Sequence, residues 1–99
     1  MKIPKIKLEE NTTWQEYIKE NELSFWKMTI DAITLLSENP DTEEQTAFIL
    51  HGGKLDKDKE FVIRIDEVDE TIDRALSKME HLEEYEMCVN ILRLKKRFE

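Results

Sequence analysis

Asp41-Thr42-Glu43-Glu44-Gln45-Thr46-Ala47-Phe48-Ile49-Leu50-His51-Gly52-Gly53 is the stretch on which the fold turns. It reads as a helix. Asp41 can cap the start, and Glu43 and Glu44 then sit at the positive end of the helix dipole. Phe48, Ile49 and Leu50 are candidates for burial. Either glycine can take the left-handed conformation that ends a helix. With a helix here, nearly the whole chain is helical.

Upstream, Thr13-Trp14-Gln15-Glu16 matches a capping box and predicts a short helix to about Glu20. Asn21 is a candidate cap for a second helix over 22–37. Its apolar set is Phe25, Met28, Ala32, Leu35 and Leu36, flanked by Trp26, Ile30 and Ile33. So wide an arc needs more than one neighbour. Asn39-Pro40 stops the helix, because a residue before proline is pushed out of the helical region.

Downstream, Phe61, Ile63 and Ile65 alternate with polar or β-branched residues, the pattern of a strand. The alternative is the first turn of the next helix. A strand needs a partner, and residues 3–8, with Ile6 and Leu8 alternating with Lys5 and Lys7, are the available one. Pro4 restricts that segment to an edge. Asp66 or Asp69 then caps an amphipathic helix carrying Val68, Ile72, Ala75, Leu76, Met79 and Leu82. No Gly or Pro follows Gly53, so residues 67–98 form either one long helix or a hairpin. The apolar phase slips between Leu82 and Tyr85, which favours a break there. The expected fold is therefore a mainly α single domain over 1–99. It is a small bundle of four to five helices, to which a two-stranded ribbon pairing 3–8 with 61–65 can be added.

The chain has 99 residues, with 15 Lys and Arg against 23 Asp and Glu, a net charge of −8. That length suits one domain and is too short for a barrel or a dinucleotide-binding sheet pair. One cysteine excludes a disulfide framework. The acid excess argues against direct binding to nucleic acid or an anionic membrane, both of which call for Lys and Arg. It admits a partner protein with a basic surface. With no charged-then-apolar leader, the expected compartment is the cytoplasm.

Catalytic constellations are sparse. His81 and Cys88 stand two turns apart on a continuous helix, about 10 Å, too far for a hydrogen bond. His51-Gly52-Gly53 is similar to the oxyanion loop of esterases, but the Gly-x-Ser-x-Gly elbow is missing. Asp56, Asp58 and Glu60 alternate like calcium ligands, yet position 61 is Phe where a calcium loop turns on Gly. No catalytic, cofactor or metal residues are assigned, and no enzymatic activity is expected.

Two features suit recognition. Asp66, Asp69, Glu70 and Asp73, at i, i+3, i+4 and i+7, form an acidic stripe. Trp26, Ile30 and Ile33 are the candidate apolar docking surface. Ile72, Leu76, Met79 and Tyr85-Glu86-x-Cys88-Val89-x-Ile91 resemble the UVR-type helical hairpin. That hairpin docks proteins onto one another in DNA repair and kinase-activator systems. Glu83 replaces an apolar residue of its pattern, and the basic–acidic pair after Ile91 is missing, so no function is carried over. The expected function is a non-enzymatic protein-binding adaptor, inhibitor or assembly factor, of the kind a phage or mobile element encodes, which also self-associates. The alternatives are an acidic DNA mimic and a small-ligand or nucleotide binder.

Overall fold

The computed structural model describes residues 3–99. Its order is β1 (Lys5–Leu8), α1 (Trp14–Glu20), α2 (Glu22–Glu38), β2 (Glu44–Gly52), β3 (Lys59–Arg64), a 3-10 turn (Ile65–Glu67), α3 (Val68–His81) and α4 (Tyr85–Arg97). With 56% helix and 20% strand, this is an α+β fold, which corrects the mainly α expectation. The expected ribbon is also corrected. Residues 3–8 do not pair with 61–65; both flank β2 in a three-stranded mixed sheet of order β1-β2-β3. β1 runs parallel to β2, with Lys5 opposite Ile49 and Leu8 opposite Gly52, and β3 runs antiparallel to it.

The helix expected over 41–53 is the central strand. The physical reason lies at one irregularity. The register shifts between Thr46 and Phe48, so that Ala47 and Phe48 are both buried although they are adjacent. A bulge of this kind erases the two-residue alternation that marks a half-buried strand. The remaining run Phe48-Ile49-Leu50 then carries no period of its own.

α2 explains its wide arc. Ala32 packs with Leu8, Ala47, Phe48 and Leu50 on the sheet side. Ile30, Ile33 and Leu36 pack with Val68, Ile72, Ala75, Met79, Cys88, Ile91 and Leu94 of the α3–α4 hairpin. The helix thus lies between sheet and hairpin and serves both cores. An aromatic cluster closes the sheet side. Phe48 and Phe61 stack at 4.4 Å, Phe25 meets Phe48 edge-on at 5.7 Å, and Trp14 meets Phe61 edge-on at 5.7 Å.

The local signals read from the sequence act as follows. The Glu16 N–H donates to Thr13 Oγ1 at 3.2 Å, the first of the two bonds of a capping box; the return bond from the Thr13 N–H to the Glu16 carboxylate is not formed. Asn21 makes no side-chain cap for α2; its Nδ2 instead donates to the Tyr17 carbonyl and closes α1. Neither Asp66 nor Asp69 caps α3, whose N-cap is Glu67 without a side-chain bond. α3 and α4 are separate helices. The Glu84 N–H donates to Met79 O at 2.8 Å and the Glu83 N–H to Glu80 O at 3.1 Å, with Glu83 left-handed at φ 60°. Those two bonds form a Schellman motif with Glu in the place glycine usually takes. No helix among the described residues is long and apolar enough to cross a membrane.

Candidate functional site

Where α2 lies against α3, Trp26 and one face of α3 enclose an open groove of about 940 Å³. Glu70, Asp73, Arg74, Ser77, Lys78 and His81 line it. They recur at three- and four-residue steps, which places them on one side of a helix. Trp26 is half-buried and braced edge-on by Phe25 at 5.0 Å. Arg74 also borders a second, smaller cleft of about 170 Å³ beside Phe25, Trp26, Phe61, Val62 and Ile63. The two hollows meet at Trp26 and Arg74, giving a surface with an aromatic floor and a charged rim.

The predicted apolar surface is only partly there. Ile33 is fully buried and Ile30 is 7% exposed, both held under the hairpin, so neither can meet a partner. That corrects their assignment and leaves Trp26 alone of the three. The acidic stripe divides as well. Asp66 lies in the 3-10 turn and pairs with Arg64 at 3.4 Å. Glu70 pairs with Arg74, and Asp73 pairs with Lys95 of α4 at 3.0 Å. Asp69 makes no ion pair among the described residues. Only Glu70 and Asp73 reach the groove. A continuous row of free carboxylates, as nucleic-acid mimicry requires, is therefore interrupted by cations of the chain itself. Exposed pairs like these contribute little stability, and a partner's cation can take them over.

Sequence reading missed Arg74, Ser77, Lys78 and His81. Their signal in the sequence is the i, i+4, i+8 series Glu70, Arg74, Lys78, a mixed-charge row beside the acidic stripe. Lys78 also bonds Glu22 at 2.9 Å and fixes α3 against the start of α2. The Asp73 carboxylate, first by hydrogen bond and then by charge, raises the Lys95 ammonium above its ordinary value.

The other candidates lie apart. His51 is on β2 and Cys88 is buried in the hairpin core, with α2 between those layers. Burial first, and the Glu80 charge second, push the Cys88 thiol up, away from the reactive thiolate. Gly52 and Gly53 end a strand rather than a helix, which corrects the expected cap. Asp58 pairs with Lys5 at 3.2 Å, and no cluster of three or more potential metal ligands occurs among the described residues. Compared with protein-family models, with curated proteins and with solved structures, the chain finds no match.

Proposed function

We propose that the chain is a protein-docking module. A partner's apolar side chain covers Trp26 and its basic residues meet Glu70 and Asp73. The supporting observation is the hollow in which a half-exposed indole, braced by Phe25, sits beside two carboxylates whose cation partners among the described residues, Arg74 and Lys95, lie at the surface. Tryptophan in a partly desolvated pocket with charges at the rim is the usual composition of an interface anchor. The net charge of −8 favours a basic partner by long-range attraction, which acts on association rate more than on final affinity.

The reading is tested by selecting peptides from a random display library on the full chain. Enriched peptides should combine an aromatic or aliphatic anchor with Lys or Arg. Their binding should fall at least about tenfold with the exposed double change Glu70→Lys/Asp73→Lys, and by more with Trp26→Ala. No enrichment, or enriched peptides indifferent to both variants, rejects it.

A further inference from the structure

One apolar stripe has no place in either core. Tyr85, Val89 and Leu92 are 64%, 49% and 48% exposed. They stand at i, i+4 and i+7 on α4, on the side turned away from Cys88, Ile91 and Leu94, which face the core. Solitary exposed apolar residues are ordinary, but three in one row on a helix form a seam. Charge along the same helix is polarised. Glu83, Glu84 and Glu86 stand at its start; Arg93, Lys95, Lys96 and Arg97 stand at its end. Lys95 is engaged by Asp73, and Arg97 Nη1 donates to Ser37 Oγ at 3.2 Å. Glu86 and Arg93 flank the seam on one side, and neither forms an ion pair among the described residues.

That pattern is complementary to itself in one orientation. From it we infer that α4 is the contact between two copies of this chain, packed antiparallel about a two-fold axis between Val89 and Leu92. Val89 of each copy meets Leu92 of the other, and Tyr85 lies along the aliphatic stem of Lys96. Glu86 of each copy faces Arg93 of the other, twice by symmetry, as an isologous interface requires. In the parallel arrangement the two-fold axis runs along the helices and puts the Glu86–Arg93 edges of the two copies on opposite sides of the seam, so neither ion pair forms. The seam is one helix about 20 Å long, at the small end of interface sizes, so the dimer is reversible, with Kd on the order of tens of micromolar.

Sedimentation velocity of the full chain across a concentration series up to about 1 mM, under reducing conditions, tests this. The wild type should pass from monomer to dimer. Leu92→Glu should raise Kd at least about tenfold while circular dichroism stays unchanged. Glu86→Arg alone should weaken the dimer roughly threefold or more, as should Arg93→Glu, because each turns both symmetry-related ion pairs of the seam into like-charge contacts. A one-to-one mixture of those two variants should recover wild-type affinity as a heterodimer. A wild type that stays monomeric throughout, or a dimer indifferent to Leu92→Glu, overturns the interface. A dimer sensitive to Leu92→Glu and indifferent to Glu86→Arg overturns the antiparallel arrangement.

Discussion

The Glu84 N–H donates to the Met79 carbonyl at 2.8 Å and, with the bond from the Glu83 N–H to Glu80 O, closes the turn that holds Glu83 at φ 60° between α3 and α4. A left-handed conformation strains any residue with a Cβ, by roughly 1–2 kcal/mol, whereas glycine adopts it freely. Glu83→Gly should therefore stabilise the fold by about 1 kcal/mol, after allowance for the greater freedom of glycine in the unfolded chain. Chemical denaturation measures it; a destabilised variant would mean that the Glu83 side chain has a role beyond the turn.

The two glycines at the end of β2 make an internally controlled pair. At Gly53, φ 56°, an added Cβ would lie 2.5 Å from the Thr12 carbonyl oxygen and 2.9 Å from Leu8 Cβ. At Gly52, φ 82°, the nearest atom would be 3.4 Å away. Gly52→Ala meets only backbone strain and should cost about 1–2 kcal/mol. Gly53→Ala adds a collision with backbone that cannot move without shifting the β1–α1 connection, and should cost about 3 kcal/mol or more. Equal losses in urea melts would contradict the packing of Gly53 against Thr12.

Stability should fall as the solution becomes alkaline. Burial raises the Cys88 thiol above 9.0 and the Tyr17 phenol above 10.0, and the Asp73 hydrogen bond raises Lys95 above 10.5. In each case the native state holds its proton where the unfolded chain has lost it. The native state then binds more protons, so stability declines with rising pH. The three contributions are intact below those ordinary values and disappear as pH climbs through the raised ones, the loss setting in first above the ordinary value of Cys88. Denaturation midpoints from roughly pH 7 to 11 should show the decline, and Cys88→Ala should remove its earliest part. A flat profile would contradict the burial of Cys88.

Ile33 and Trp26 stand two turns apart on α2 and should respond oppositely in binding and stability. Ile33→Ala empties a fully buried site between α2 and the hairpin and should cost about 3 kcal/mol. Trp26→Ala should cost less stability and remove most peptide binding at the groove. Paired thermal melts and titrations separate the two. A Trp26 variant that unfolds as readily as the Ile33 one would make the indole a core residue.

Local signals in the sequence were legible where one residue type acts over one turn. Thr13 caps α1, Asn39-Pro40 ends α2, and the phase slip after Leu82 marks the hairpin turn. The alternation of Phe61 and Ile63 marks β3. What failed was non-local. The bulge at Ala47 hid β2, and without a central strand the segments on either side of it were assigned to each other. The site was half legible for the same reason. Trp26 stood out by type, but the docking of the hairpin decides that Ile30 and Ile33 are covered and that Arg74 and Lys78 join it.

The parallel pairing of β1 with β2 sets an order of events. β2 and β3 are neighbours in the chain and close as a hairpin, whereas β1 meets Ile49 only after two intervening helices have been traversed. Loop closure over that distance is slow relative to local contacts. The first strand should therefore zip onto a preformed edge late, on the native side of the folding barrier. Trimming Ile6 or Leu8 should hasten unfolding in stopped-flow traces and leave the refolding rate nearly untouched.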